Sequence, residues 1–519
     1  METGLIVTII NLYSFSCPSG QRLTSADFIW IPATSPMTST SNDSRAPCPP
    51  STSDFLEFHA IQSPNKVAID WNHQTHTYAQ MHQDLVRVKQ ALHQLGLRPG
   101  QFALIHQRNP YIHVLLLLAC ENLRVVAASQ TDSKNIGLYE KADVLLSHSP
   151  ELNAAIAVFV VDDQWLASLV ATPIDPDLHK LLTLSDPQDP VLVTRSSGTT
   201  GIPKLIRLHR SQLEYSIQSM GLKWGFSRSS VCIVLYGFEV ASIWRQISAC
   251  LRAGGTVVWG ELSAFGQKYR LTHMWILPVD LGNLIEKFSG TWKKKPGLVI
   301  YTAGAQLPEQ LRTTACQCFC DDIINTYGSN EVGAICKLDH HNMGILQPGV
   351  ELMIVNDDGQ ALAVGEEGSV AVKSPSMIHQ YWEQADYTAL HFRNGWFYPG
   401  DRAKLIQPRL LQYLGRNDEL LNFGGIKQPP EFIEKIFLSL PKVLEAAATS
   451  IQRSDGVDVL LVAVVLRDPS DLAEVQHAAR SKLSSFAPQM RVISCQSLPR
   501  TPNGKIKRLA VRELASTSP

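Results

Sequence analysis

The sequence lacks an excess of charge of either sign. Among its 519 residues, Lys and Arg number 46 and Asp and Glu number 47, so the net charge is −1. A protein that binds duplex nucleic acid usually carries a basic excess, because it neutralises a row of phosphates. The charge therefore argues against nucleic acid as a partner, and it leaves room for a local anion site.

Cysteine is sparse, and its spacing lacks the pattern of a zinc site. The chain has ten cysteines, and no two of them form the C-x-x-C pair that structural zinc sites use. The run Cys316, Cys318 and Cys320 is interpreted as ordinary half-buried cysteines, with metal binding as the alternative. So few cysteines in a long chain favour a reducing compartment, and the expected location is the cytoplasm.

Long apolar runs are also missing. The two most apolar stretches, residues 4–13 and 112–120, fall short of the roughly 20 residues that cross a bilayer. We therefore expect no transmembrane segment. Hydrophobic residues make up 45% and charged residues 18% of the chain, which is enough for a large core and unlike a disordered protein. At about 150 residues per domain, the length predicts two to four domains.

Ordered patterning begins near residue 55, after a Ser-, Thr- and Pro-rich stretch. Residues 1–50 are therefore predicted to be a weakly ordered tail. Beyond them, helical and strand-like segments alternate, which is typical of an α/β fold with helices covering a largely parallel sheet. The predicted helices cover residues 79–95 and 111–122. The predicted strands cover residues 102–105, 125–128, 158–161, 191–194, 231–235, 256–259 and 298–301.

The pattern changes in the last third of the chain. Residues 349–373 read as short β segments joined by turns, which predicts a β-rich subdomain. A smaller mixed unit follows residue 416. Its predicted elements are a helix at residues 431–440, a strand at 459–465 and a helix at 472–483.

The segment that is most informative about function follows the strand predicted at residues 191–194. It combines hydroxyl side chains, glycines and one lysine in a single turn, as a cradle for an anion requires. Glycines let backbone N–H groups approach phosphate oxygens, hydroxyls add donors and the lysine adds charge. The Gly-Lys-Ser/Thr of a Walker loop is absent, as are G-x-S-x-G and H-E-x-x-H. The cradle residues are Ser196, Ser197, Gly198, Thr199, Thr200, Gly201 and Lys204.

Four further segments follow in the chain. They read NTYGSNE at residues 325–331, WFYPGD at 396–401, GRNDELLNFGG at 415–425 and LPRTPNGK at 498–505. Together with the cradle, and in this order, they resemble the motifs of the adenylate-forming superfamily, which includes acyl-CoA synthetases, aryl-CoA ligases, nonribosomal-peptide adenylation domains and luciferase. Four positions depart from the family pattern: Leu205, Asn330, Pro399 and Phe432.

The resemblance implies a two-domain α/β architecture. A large N-terminal domain, residues 51–415, would contain mostly parallel sheets covered by helices and a β-rich subdomain. A small, mobile α+β C-terminal domain would occupy residues 416–519 and turn on a hinge at Asp418. Gly424 and Gly425 would line a channel for a pantetheine thiol, where bulky side chains would block passage.

The resemblance also implies a reaction and its catalytic groups. A carboxylic acid would attack Mg-ATP to give acyl-AMP and pyrophosphate, and a thiol would then take the acyl group. Lys505, Lys204, Asn330 and Glu331 would be catalytic, with Glu331 also holding Mg²⁺. Besides the cradle, the residues expected to bind ATP are Gly304, Ala305, Asn325, Tyr327, Gly328, Asp401 and Arg416.

The substrate and acceptor are less constrained by sequence. The acyl pocket is expected at Tyr236, Phe238, Glu239, Gly328 and Gly333, and its aromatic residues favour a fatty or aromatic acid. CoA is the expected acceptor. One alternative is a stand-alone enzyme that loads an acyl, aryl or amino acid onto an acyl or peptidyl carrier protein. The other is a non-catalytic relative that only binds nucleotide.

Overall fold

Helices and strands alternate through the first two fifths of the chain. The computed structural model describes residues 49–130, 138–150, 156–175, 186–196, 204–288, 292–304, 307–416, 421–423, 426–428, 430–452, 458–483, 490–501 and 504–517. The first elements are α1 (Thr52–Gln62), β1 (Val67–Trp71), β2 (Gln74–Thr77), α2 (Tyr78–Gln94), β3 (Phe102–His106), α3 (Pro110–Asn122), β4 (Val126–Ser129), β5 (Val144–Ser147), β6 (Ala157–Val160), α4 (Asp163–Ser168), β7 (Pro190–Ser196) and β8 (Lys204–His209).

The start of α2 shows how local sequence sets these boundaries. The hydroxyl of Thr77 accepts a hydrogen bond from the backbone N–H of Gln80, and the Gln80 side chain accepts one from the backbone N–H of Thr77. This reciprocal capping box satisfies two N–H groups that the first helical turn leaves unpaired. Apolar residues then recur on one face, where they are buried. They are Met81, Leu85, Val88 and Leu92.

Strands β3 to β8 build the first sheet. In the described residues it has six strands in the order β6-β5-β3-β4-β7-β8, all parallel except the β7–β8 pair. In that antiparallel pair Ser196 lies opposite Lys204. The two ends of the predicted anion cradle are thereby adjacent at the edge of the sheet.

A second sheet forms the centre of the large domain. The elements that follow β8 in the chain are α5 (Arg210–Trp224), β9 (Val231–Val234), α6 (Ala241–Arg252), β10 (Thr256–Trp259), α7 (Leu262–Lys268), β11 (His273–Trp275), α8 (Pro278–Lys287), β12 (Val299–Ala303), α9 (Glu309–Cys318), β13 (Asp322–Ser329) and β14 (Gly333–Leu338). The described strands run in the order β14-β13-β12-β11-β9-β10-β1-β2. The six inner strands are parallel, so their carboxyl ends meet at one edge, where ligands bind in open α/β sheets.

The predicted β-rich subdomain is an antiparallel sheet. Within the described residues it has seven strands, and the strand at Glu367–Lys373 pairs with three others. The sheet buries one face that carries Val350, Ile354, Val370, Val372 and Leu411. The elements are β15 (Met343–Ile345), β16 (Glu351–Val355), β17 (Glu367–Lys373), α10 (Ala385–His391), β18 (Phe392–Arg393), β19 (Trp396–Phe397), β20 (Asp401–Gln407) and β21 (Leu410–Arg416).

The residues after 420 have a core of their own. The Glu434 carboxylate accepts hydrogen bonds from the Arg508 guanidinium and from the backbone N–H of Ala448, which ties two helices to the strand that contains Ala448. The elements are β22 (Leu421–Phe423), β23 (Ile426–Gln428), α11 (Pro430–Leu438), β24 (Val443–Gln452), β25 (Asp458–Leu466), α12 (Leu472–Lys482), β26 (Met490–Ser494) and α13 (Arg508–Thr517).

The secondary structure predicted from the sequence is confirmed at each of these segments, with boundaries shifted by at most a few residues. Of the expected tail, residues 1–50, all but residues 49 and 50 lie outside the described residues. In the described part of the chain, no helix combines the length and the apolar character that a membrane span requires.

Candidate active site

The carboxyl ends of the parallel strands open onto one large cleft. Tyr236 follows β9, Gly304 follows β12 and Asn330 follows β13, and all three line a cleft with a volume of about 1990 Å³. Residues from the β-rich subdomain and from the last segment of the chain line it as well. The predicted site residues found there are Lys204, Tyr236, Gly304, Asn325, Tyr327, Gly328, Asn330, Glu331, Gly333, Asp401, Arg416 and Lys505.

The remaining predicted site residues either do not line the cleft or lie outside the described residues. Phe238 and Glu239 are not among the residues that line the cleft. The side chain of Ser196 lies outside the described residues. So do Ser197, Gly198, Thr199, Thr200, Gly201, Ala305, Asp418, Gly424 and Gly425.

Phe238 belongs to the hydrophobic core. Its ring stacks on His113 with centroids 4.0 Å apart and planes within 9°, and it is 9% exposed. Glu239, next along the chain, is exposed to solvent. The sequence predicted that both residues line the acyl pocket. In the structure only some residues of this segment, such as Tyr236 and Val240, line the cleft.

Tyr327 and Asp401 form a buried hydrogen-bonded pair. The Tyr327 hydroxyl donates to Oδ2 of Asp401 at 2.6 Å, and Arg416 lies 3.7 Å from Oδ1 of the same carboxylate. Burial, with the nearby charge of Asp401, raises the pKa of Tyr327, so its hydroxyl remains a donor at any physiological pH. The carboxylate is thus oriented from both sides at the cleft wall.

Lys204 is held by a histidine that lies outside every sequence motif. Nζ of Lys204 lies 2.8 Å from Nε2 of His391, and Nδ1 of His391 lies 2.9 Å from the backbone oxygen of Tyr398. Burial, with the charge of Lys204, lowers the pKa of His391. The ring is therefore neutral at neutral pH, and Nε2 can accept the lysine hydrogen bond.

Glu331 is another buried carboxylate of the cleft. It is 6% exposed and accepts a hydrogen bond of 3.0 Å from the Tyr381 hydroxyl. Burial and the charge of Glu331 raise the pKa of Tyr381. The Tyr381 ring also lies 5.3 Å from Nζ of Lys204, so one aromatic residue contacts both the lysine and the carboxylate.

Two glycines keep the backbone around Glu331 close to the cleft. A Cβ on Gly328 would lie 2.3 Å from the backbone oxygen of Gly333, and Gly333 has a φ of +74°. Both positions therefore require glycine. Between them the Asn330 side chain donates to the backbone oxygen of Arg195 at 3.2 Å, which joins this turn to the strand that leads into the cradle.

Lys505 approaches the cleft from the last segment of the chain. Its backbone N–H donates to the Thr501 hydroxyl at 3.1 Å, and its backbone oxygen accepts from the N–H of Thr501 at 2.7 Å. These two hydrogen bonds join Lys505 to Thr501. In the described ranges, no three His, Cys, Asp or Glu side chains are grouped so as to hold a metal ion.

Of the cleft residues that were not found from the sequence, three bear on the chemistry of the site, and all three lie outside every motif. They are His391, Tyr381 and Arg245, a buried arginine of α6. His391 contacts Lys204 across 187 positions of sequence, and a single sequence carries no signal for a pair so far apart.

Charged and polar groups gathered at the carboxyl ends of parallel strands are typical of an α/β enzyme, and comparison with known proteins identifies the family. The family model of the AMP-binding enzyme matches residues 56–382, and that of its C-terminal domain matches residues 432–505. The chain therefore belongs to the AMP-binding enzyme family. Three expectations are thereby confirmed: the family resemblance, the α/β fold and the assignment as an enzyme.

The relatives found by sequence are ligases. The chain is 26% identical to the 2-hydroxy-7-methoxy-5-methyl-1-naphthoate–CoA ligase of Streptomyces carzinostaticus, covering 81% of this chain and 85% of that protein. It is 24% identical to the fatty acid–[acyl-carrier-protein] ligase ScoC of Streptomyces coeruleorubidus, covering 88% and 95%. The fold matches O-succinylbenzoate coenzyme A synthetase from Bacillus subtilis, solved with ATP and magnesium, with a TM-score of 0.75 at 21% identity over 88% and 99%.

Proposed function

We propose that this enzyme activates a carboxylic acid with ATP and transfers the acyl group to the thiol of CoA. In the first step the acid carboxylate attacks the α-phosphorus, which gives acyl-AMP and pyrophosphate. In the second step the thiol displaces AMP and gives the thioester. The observation that carries this proposal is the meeting of Lys204, Glu331, Asp401, Arg416 and Lys505 in one cleft.

The nucleotide would be held by residues of the cleft wall. The Asp401 carboxylate, oriented by Tyr327 and Arg416, suits the two hydroxyls of a ribose, because a fixed carboxylate accepts both hydrogen bonds. Lys204 and the hydroxyl-rich segment before it suit the phosphates. Asn325, Gly304 and Gly328 would lie along the base, and Asn330 would keep a donor for the α-phosphate.

Magnesium fits the donor set of this cleft. Glu331 offers a hard carboxylate that is kept in place by Tyr381, and Mg²⁺ is usually bound through one or two carboxylates together with substrate phosphates and water. Glu331 would hold the ion. The ion would supply charge neutralisation for the phosphates, and the protein residues would orient the acid against them.

Lys505 would act in the adenylation step. Its ammonium would stabilise the negative charge that develops on the phosphoryl oxygens as pyrophosphate leaves. The small domain, residues 416–519, would then turn about Asp418 and withdraw Lys505. Gly424 and Gly425 would leave room for the pantetheine arm that delivers the thiol.

The acid would occupy the part of the cleft at the ends of β9 and β11. Tyr236 and Trp275 line the cleft there, and the Tyr236 hydroxyl donates to Asp280 at 2.6 Å while accepting from the backbone N–H of Leu277 at 2.9 Å. The tyrosine ring is thereby fixed as a wall. Aromatic surface of this kind suits an aromatic or fatty acid.

Transfer to a carrier-protein pantetheine is the second candidate, and the relative named as an acyl-carrier-protein ligase favours it. A non-catalytic nucleotide-binding role is disfavoured, since every charged group of the expected machinery is retained. The deciding experiment measures pyrophosphate release with a panel of acids, followed by thioester formation with CoA and with a pantetheinylated carrier protein. Failure of every acid to release pyrophosphate would reject the proposal.

A further inference from the structure

Helix α6 carries two buried arginines, and they differ in their surroundings. Arg245 and Arg252 are each 7% exposed. Arg252 forms a paired salt bridge, in which two nitrogens donate to the two Glu214 oxygens at 2.7 Å each, and its Nε donates to the Thr52 hydroxyl at 2.9 Å. Arg252 is thus fully satisfied, as expected of an arginine that stabilises the fold.

Arg245 has none of these partners. Within the described residues its guanidinium makes no hydrogen bond and no ion pair, and its Nε is buried without an acceptor. The side chain lines the cleft instead. A buried guanidinium without an acceptor is unfavourable unless a ligand supplies one.

The charge of Arg245 is retained in this environment. Burial lowers the pKa of Arg245 to about 10, and the Glu331 carboxylate acts in the opposite direction. The group therefore remains a cation at neutral pH. Within the described residues Glu331 forms no hydrogen bond or ion pair with Arg245; it accepts the Tyr381 hydroxyl and in the proposed function binds magnesium. The arrangement leaves a positive charge that faces the cleft.

The position of Arg245 assigns this charge to the acid rather than to the nucleotide. Ser242, three residues earlier on the same helix face, also lines the cleft, as do Val240 and Tyr236 in the segment leading into α6. This is the wall at the end of β9, where the proposed function places the acid. The nucleotide phosphates already have Lys204 and the hydroxyl-rich segment.

We propose that Arg245 binds a second anionic group on the acid substrate, so that the preferred substrates are dicarboxylic acids. A guanidinium presents paired donors that match the two oxygens of a carboxylate. One carboxylate of the substrate would be activated with ATP, and the other would rest against Arg245. This inference rests on the proposed function for its placement of the acid, and it names the substrate class of that function.

The test compares each diacid with its half-amide of the same length, in aliphatic and aromatic series. For the wild type we expect kcat/KM for pyrophosphate release to favour the best diacid over its half-amide by about 100-fold or more. In Arg245→Met this ratio should fall to near one, and in Arg245→Lys it should be intermediate. Arg480→Met, at an exposed arginine of α12, should leave the ratio unchanged.

Binding measured by calorimetry without turnover separates the possible failures. If the wild type releases pyrophosphate equally with diacids and half-amides, the dicarboxylate inference is wrong and the proposed function stands. If diacids bind the wild type but not Arg245→Met while no acid releases pyrophosphate, the anion site stands and the proposed function fails. If Arg245→Met weakens Mg-ATP binding and affects both acids equally, Arg245 serves the nucleotide and the inference is overturned. If Arg245→Met keeps the wild-type preference for diacids, another group binds the second carboxylate and the inference is overturned. Should Arg245→Met not fold, the same comparison is made with Arg245→Lys.

Discussion

Nζ of Lys204 donates a hydrogen bond of 2.8 Å to Nε2 of His391, and this contact fixes the tautomer of the histidine. A lysine ammonium can only donate, so Nε2 must accept, and the hydrogen of the neutral ring lies on Nδ1, which donates to the Tyr398 oxygen at 2.9 Å. His391 therefore positions the lysine that the proposed function assigns to the phosphates.

His391→Leu should raise the KM for ATP by about tenfold or more, because Lys204 loses an acceptor for a charged hydrogen bond. His391→Gln should retain most of the wild-type affinity, since its amide oxygen can still accept. Steady-state kinetics with varied ATP would measure this, with the exposed His379→Leu as control. Equal KM values in the Leu and Gln variants would contradict the positioning role.

Lys505→Ala should separate the two half-reactions. Pyrophosphate release should fall by about 100-fold or more, because the ammonium stabilises charge that develops only in adenylation. Thioester formation from supplied acyl-AMP should stay close to wild type. Lys507→Ala, two residues away and exposed, is the matched control. A variant impaired only in the thiol step would overturn the assignment of Lys505.

Glu331→Gln should raise the magnesium concentration needed for half-maximal activity by about tenfold or more. The amide keeps the size of the side chain and an acceptor for Tyr381, but it loses the charge that favours a divalent cation. Magnesium titration of pyrophosphate release would show this. Glu140→Gln, at an exposed glutamate, should leave the titration unchanged, and an unshifted curve for Glu331→Gln would reject the metal assignment.

Tyr327→Phe isolates the hydrogen bond to Asp401. The ring stays available to contact the base, while the carboxylate loses its 2.6 Å donor. A hydrogen bond to a charged group contributes about 1.5–3 kcal/mol, so the affinity for ATP should fall about tenfold or more. Calorimetric titration of ATP would measure it. Unchanged affinity would mean that Arg416 alone is enough to orient Asp401.

His113 should make stability depend on pH. It is fully buried against Phe238 and Ser129, and burial lowers its pKa from 6.5 to about 3. Above pH 6.5 the ring is neutral in both states. Between pH 6.5 and about 3 only the unfolded chain takes up the proton, so the free energy of unfolding falls by about 1.4 kcal/mol per pH unit as pH decreases.

His113→Gln should reduce this slope by about 1.4 kcal/mol per pH unit, the contribution of one proton. Urea unfolding at a series of pH values would measure the slope. The exposed His477→Gln should leave the slope as in the wild type. A slope that is equal in all three proteins would show that His113 is protonated in the folded state.

The element order could be predicted from the sequence alone, and the same sequence indicated which residues to expect in the cleft. The Thr77 to Gln80 capping box and the apolar periodicity of α2 are local, so helix boundaries could be predicted to within a few residues. Twelve of the expected site residues, Lys204 and Lys505 among them, line one cleft. Nine of the twelve lie in the five short motifs, whose residue types suit phosphate and ribose chemistry, and Tyr236, Gly304 and Gly333 lie outside those motifs.

The tertiary structure alone decided which side chains stand beside those motifs. His391 reaches Lys204 across 187 positions, and Phe238 packs on His113 in the core although the sequence placed it in the acyl pocket. The two arginines of α6 are alike in sequence and in burial. Arg252 finds Glu214 on a neighbouring helix, and Arg245 faces the cleft. A local pattern fixes backbone conformation, whereas the partner of a buried charge depends on which helices pack against it.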